Sequence, residues 1–121
     1  MYNRVVVDEL DADEVDRVFH GLADATRRDI VVQVLRREQS VSTLARRYDM
    51  SFAAVQKHVA VLERALLVTK QRRGREQIVR GNPDILRRAA RLLDAYEQIW
   101  HHRARAIEDI LSEDREKRTE S

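Results

Sequence analysis

From Val41 to Arg80 the chain reads as helix, tight turn, helix and hairpin, and few folds accommodate that order. Leu44, Ala45 and Tyr48 form a short apolar face, as expected of a helix that opens after Ser42 and closes near Tyr48. Asp49 is the expected turn residue, because Asp tolerates the left-handed conformation better than most side chains. Ser51 has the right chemistry to cap a second helix. In that helix Val55, Val59, Leu62 and Leu66 stand at i, i+4, i+7 and i+11, one continuous buried stripe. Ala53, Gln56, Lys57, Ala60 and Arg64 occupy the opposite face, and the helix should end near Ala65 or Leu66. The helical period then gives way to two short strands, Leu67–Gln71 and Glu76–Arg80, with Gly74 supplying the turn.

The flanks complete a mainly helical chain. Three glycines and one proline among 121 residues leave few interruptions. A first helix is expected over Asp13–Leu22, with Val15, Val18, Phe19 and Leu22 at helical spacing. Asp24 caps a second over Ala25–Arg37, whose apolar stripe is Ile30, Val31, Val34 and Leu35. Glu38–Gln39–Ser40 reads as a polar break. After Asn82–Pro83–Asp84, where Asn82 or Asp84 serves as cap, a long helix should reach Leu111. Residues 1–12 read as irregular with a short extended Val5–Val7, and 112–121 as a disordered polar tail, since SEDREKRTES has no apolar residue. Residues 13–111 are then the folded domain.

Charge adds a functional direction. Residues 1–16 hold six acids and one base, whereas residues 42–80 hold nine bases and three acids, a local balance of +6. A cationic middle coinciding with a helix pair suits a polyanion. An α-helix fits the major groove of duplex DNA, and its N-terminal turns meet the base edges. Here those turns carry Ser51, Phe52, Ala53, Gln56 and Lys57. Gln56 can pair with an adenine edge, Lys57 can reach guanine or a phosphate, Phe52 and Ala53 can touch a thymine methyl, and Ser51 can donate to a phosphate. Phe52 would serve equally well as a packing residue under the turn. Arg72, Arg73 and Arg75 have the minor groove or the flanking backbone as their natural target.

The last helix is too apolar for the surface of one small domain. Leu92, Tyr96, Ile99, Trp100 and Ile107 are most simply buried against a second copy, with Val15 and Phe19 of the first helix joining the interface. Other chemistry is poorly served. There is no cysteine, which removes disulfides and thiolate metal sites. His101 and His102 point to different faces and have Arg105 and Ala106 at i+4, so no metal is expected, although His20 could approach the last helix in a dimer. No nucleophile sits beside a base and no glycine-rich phosphate loop is present, so no enzyme is expected. No apolar run is long enough to span a membrane, and the placement expected is cytoplasmic.

Four segments together resemble the ArsR/SmtB family of winged helix-turn-helix repressors, in the branch without the usual metal sites: LADATRRDIVVQVL (22–35), VSTLARRYDMSFAAVQKHVAVLERALLV (41–68), RRGRE (72–76) and YEQIWHHRARAIEDIL (96–111). The resemblance implies a winged helix-turn-helix with a small two-stranded antiparallel wing, a homodimer through the first and last helices, and repression by binding a palindromic operator. It makes Ser51–Ala65 the reading helix and Thr69–Arg80 the wing. Lys57 and His58 match the family's Lys-His pair; Lys57 faces DNA, and His58, beside Val55 and Leu62, is a packed or phosphate-bonded histidine. No cofactor is implied, and an inducer, if there is one, is not identified. The chain departs from the family at Ala25, where Pro is usual, at Gln56, where a small polar residue is usual, and at Leu66, where Gly is frequent. A left-handed Leu66 would cost roughly 1 kcal/mol or more. The alternative is a dimeric winged-helix module that recognises protein instead of DNA.

Overall fold

The computed structural model describes residues 9–120, so the extended Val5–Val7 expected from the sequence lies outside the described residues. The elements run α1 (Ala12–Leu22), α2 (Ala25–Arg36), β1 (Gln39–Ser40), α3 (Val41–Ala45), α4 (Phe52–Arg64), β2 (Val68–Arg73), β3 (Glu76–Gly81) and α5 (Pro83–Glu120).

Local chemistry explains the boundaries. At the start of α1, Asp11 accepts from the Glu14 amide at 2.8 Å while Glu14 accepts from the Asp11 amide at 2.9 Å, a reciprocal capping box. Asp24 caps α2 by accepting from the Arg27 amide. The two arginines after it close the preceding helix. Arg27 donates to the Gly21 and His20 carbonyls at 3.0 and 2.8 Å, and Arg28 donates to the Leu22 carbonyl at 2.8 Å. These carbonyls lie in the last turn of α1, where intrahelical donors run out (that of His20 also accepts from the Ala23 amide at 3.2 Å), so LADATRR stitches one helix end to the next helix start. Gly21 permits the close packing of α1: a Cβ there would meet Leu67 Cδ1 at 2.8 Å.

Several expectations are corrected. The sheet has three strands, in the order β1-β3-β2, because the polar Gln39–Ser40 break pairs antiparallel with Val79 and Ile78. The β2–β3 hairpin is the two-stranded wing, in register from Val68↔Gly81 to Arg73↔Glu76. Ser40, not Ser42, caps α3 by accepting from the Thr43 amide at 3.0 Å, and α3 ends at Ala45. Asp49 is not the left-handed residue; among the described residues only Leu66 (φ 62°) and Gly74 (φ 65°) have positive φ. Leu66 therefore leaves the apolar stripe of α4 and is exposed, and Leu67 and Val68 enter the core in its place. Leu35 likewise leaves the α2 stripe for a half-exposed position against Gly81. The last helix continues to Glu120 through the segment expected to be a disordered tail.

The core joins Val18 of α1, Ile30 and Val34 of α2, Leu44 of α3, Val55, Val59 and Leu62 of α4, Val79 of β3 and Ile85 of α5. The chain divides into two compact units at Ala89. The first holds this core. The second is helix alone, and on it Leu93, Tyr96, Ile99, Trp100, Ile107, Ile110 and Leu111 are exposed.

Leu66 supplies a direct test of backbone strain. Its carbonyl accepts from the Asn82 side-chain amide at 2.8 Å, which holds the turn after α4 in place. Leu66→Gly keeps that carbonyl and removes the left-handed Cβ penalty. It should stabilise the fold by about 0.5–1 kcal/mol. Thermal unfolding checks this, and a variant that melts below the parent contradicts it.

Candidate nucleic-acid interface

The turn between α3 and α4 is tied to α2. Tyr48 donates its hydroxyl to Asp29 Oδ2 at 2.6 Å, and Arg47 Nε reaches the same oxygen at 3.4 Å. The Tyr48 hydrogen bond, helped by Arg47, holds the Asp29 carboxyl below the usual carboxylate range. Burial, reinforced by Asp29, pushes the Tyr48 phenol upward. These contacts fix the angle at which α4 leaves the core. Because the folded-state pKa of Asp29 is depressed, its contribution to stability is present above the unfolded value, about 3.9, and is lost as pH falls through the lower folded value. Asp29→Asn should destabilise by about 1 kcal/mol at neutral pH, after discounting for exposure. The two melting temperatures should converge below about pH 4. A gap that stays constant across this range counts against the role given to Asp29.

Ser51 starts α4 by accepting from the Ala54 amide at 3.1 Å, which leaves its hydroxyl proton available to donate. Val55, Val59 and Leu62 face the core, so Ser51, Phe52, Ala53, Gln56 and Lys57 are turned to solvent on the first two turns. Phe52 is 46% exposed, which disfavours its reading as a packing residue under the turn. The sequence-derived reading face is thus brought together as one surface, with Arg64 exposed on the last turn of the same helix.

In the wing, the cations separate into paired and unpaired sets. Lys70 Nζ lies 3.6 Å from Glu63 of α4. Arg73 and Arg80 both bind Glu38, at 3.2 and 3.3 Å and through different carboxylate oxygens. Arg72 Nε donates to the Gly74 carbonyl at 3.2 Å, which braces the turn. Among the described residues no carboxylate pairs with Arg72, Arg75, Lys57 or Arg46. Sequence reasoning treated Arg72, Arg73 and Arg75 alike and did not find Glu38. Its partners lie far along the chain, and only the pairing of β1 with β3 would have revealed it.

His58 is half-buried, with Nδ1 3.4 Å from Arg27 Nη1 and 4.0 Å from Asp24. A guanidinium can only donate, so the Arg27 contact requires a lone pair on His58 Nδ1. Asp24 sits below the usual carboxylate range chiefly because it accepts the Arg27 amide. Among the described residues no group of three or more His, Asp or Glu side chains could hold a metal ion, and His101 approaches only Glu97, at 3.8 Å. No helix among them is long and apolar enough to cross a membrane.

Of the residues expected to bury against a second copy, Tyr96, Ile99 and Trp100 are 59%, 68% and 63% exposed, and Phe19 and Ile107 are also exposed. Val15 and Leu92 are half-buried.

Comparison with known proteins agrees with this geometry. Residues 24–70 match the family model "Bacterial regulatory protein, arsR family". The HTH-type transcriptional regulator Rv2034 of Mycobacterium tuberculosis is 34% identical over 92 residues, which cover 69% of this chain and 86% of that protein. An ArsR-like transcriptional regulator from Rhodococcus sp. RHA1 superposes with a TM-score of 0.73 at 36% identity, over 81% of this chain and 92% of that one. The solution structure of a homodimeric winged helix-turn-helix DNA-binding domain, Mb0332 from Mycobacterium bovis, superposes with a TM-score of 0.59 at 25% identity, over 71% and 81%. These relatives are regulators, not enzymes.

Proposed function

This chain belongs to the ArsR family and is a DNA-binding transcriptional regulator, and from that premise we propose that it acts in the cytoplasm as a homodimeric repressor on a palindromic operator. The observation that carries the reading is the exposed first two turns of α4, capped by Ser51 and presenting Gln56 and Lys57, followed in sequence by a wing whose Arg72 and Arg75 have no carboxylate partner among the described residues. Gln56 and Lys57 read bases in the major groove. Ser51 and the wing arginines hold phosphates and so fix the register. Repression follows by occlusion when the bound protein overlaps a promoter.

The dimer is supported by a row of large apolar side chains along α5. Leu93, Trp100 and Ile107 recur every seven residues, with Tyr96 between the first two, a period suited to a helix–helix seam. A soluble protein that exposes Tyr96, Ile99 and Trp100 in one row has a covering partner, and the homodimeric Mycobacterium bovis domain offers the simplest one, a second copy. Two copies would present two α4 helices to half-sites about one helical turn apart.

The test is selection of duplexes from a random-sequence pool at two salt concentrations, with sedimentation of the free protein. Enrichment of an inverted repeat by a dimer supports the reading. A monomer, or a pool with no enriched sequence, overturns it. Gln56→Ala and Lys57→Ala should each weaken the selected duplex by about 1–3 kcal/mol and relax preference at particular base pairs, with unchanged melting. If both bind as the parent does, α4 is not the reading helix.

A further inference from the structure

Strand alternation places the wing cations on opposite faces of the hairpin. Val68, Lys70 and Arg72 alternate to one face of β2, which Lys70 marks as the α4 side through its contact with Glu63. Thr69, Gln71 and Arg73 alternate to the other. There Arg73 lies opposite Glu76, and Arg80, directly opposite Thr69, shares its face. Ser40 pairs with Ile78 on this second face, so Glu38, two residues before Ser40, is carried to it as well. Its two carboxylate oxygens are taken by Arg73 and Arg80 separately. A groove on this face is also lined by Arg36 and Arg37, for which no carboxylate partner occurs among the described residues. Without Glu38 the groove would carry Arg36, Arg37 and Arg73, with Arg80 at its edge, against Glu76 alone.

We infer that Glu38 is a specificity-determining residue: its single negative charge, shared by Arg73 and Arg80, lowers the cationic charge of the face of the wing turned away from α4, so that phosphates engage the α4 side in preference. This rests on the DNA-binding reading above. An unmasked second face would be a sequence-independent polyanion site. It would compete with the α4 surface and raise binding to any duplex, because phosphate attraction carries no base information. As a stabilising contact the cluster matters little, since exposed pairs of this kind contribute only marginally. Its consequence lies in which face of the wing is cationic.

The experiment compares the parent with Glu38→Gln, which keeps the side chain's shape and removes its charge. Binding is measured from low to moderate salt on the selected operator duplex and on a scrambled duplex of equal length. With one net positive charge gained per subunit, affinity for the scrambled duplex should rise about tenfold, and its salt slope should steepen by roughly 1 per subunit. Operator affinity should change less, so the ratio of the two falls. Glu38→Asp, which retains the charge, should restore most of that ratio, and Arg73→Ala in the Glu38→Gln background should return part of the slope. An unchanged scrambled-duplex slope in Glu38→Gln, with operator preference intact in the parent, overturns this inference alone. A parent with no preference for any duplex overturns the DNA reading as well.

Discussion

Leu62→Ala should lower stability by about 2–5 kcal/mol and the melting temperature by roughly 10–20 °C, measured at matched protein concentration. Leu62 has no exposed surface and lies where α1 and α4 pack together. A Cβ at Gly21 would touch its Cδ2 at 3.6 Å, which shows how closely α1 approaches. The Leu62 carbonyl accepts from the Leu67 amide at 3.0 Å across the left-handed Leu66. The side chain therefore packs at the point where α4 ends and the wing begins. Truncation leaves a cavity that these neighbours cannot close without moving α1 or Leu67. Domains of this size have a total stability of only about 5–15 kcal/mol, so the loss is a large fraction of it. DNA binding should fall only in proportion to the folded population. A variant that melts within about 2 °C of the parent would show that the site collapses freely and that the core is looser than this packing implies.

The elements that could be read from the sequence are those with local causes. The stripe Val55, Val59, Leu62 and the Ser51 cap place α4 without any distant information, and so the exposed set Ser51, Phe52, Ala53, Gln56 and Lys57 follows from helical periodicity. What could not be read depends on distant partners. β1 is two residues long, too short for an alternating pattern, and exists because Val79 and Ile78 accept it as a neighbour. Ser40 and Ser42 both have the side chain to cap the short helix around Leu44, and the strand that ends at Ser40 decides which one caps. By spacing Leu66 is the next member of the α4 stripe; burial of Leu67 and Val68 in the core takes the chain out of the helix just before it, at Arg64. Residues 112–120 lack apolar side chains, yet a polar helix can continue on pairs such as Asp114–Arg118 at 3.4 Å, which composition alone does not separate from disorder. The Glu38 clamp on Arg73 and Arg80 belongs to the same class, since it exists only once the sheet has formed.

Removing both wing arginines that have no carboxylate partner among the described residues, Arg72→Ala with Arg75→Ala, should weaken DNA binding on the order of 10²–10³-fold at physiological salt. In a dimer four cations are lost, so the salt slope should move toward zero by about 3.6, at roughly 0.9 per phosphate. Operator and scrambled duplexes should weaken in parallel, because phosphate contacts position the protein without reading sequence. Loss confined to the operator would instead place these arginines at base edges or in a narrow minor groove. Arg73→Ala sets the contrast. Its guanidinium is already held by Glu38 at 3.2 Å on the opposite face of the strand. Removing it alone should shift the slope by much less than removing Arg75 alone, although Arg73 is just as cationic in the sequence. Equal shifts for the two single variants would mean that Glu38 releases Arg73 when DNA arrives. A double variant with the parent's slope would mean that the wing does not touch the duplex, leaving α4 to carry both positioning and reading.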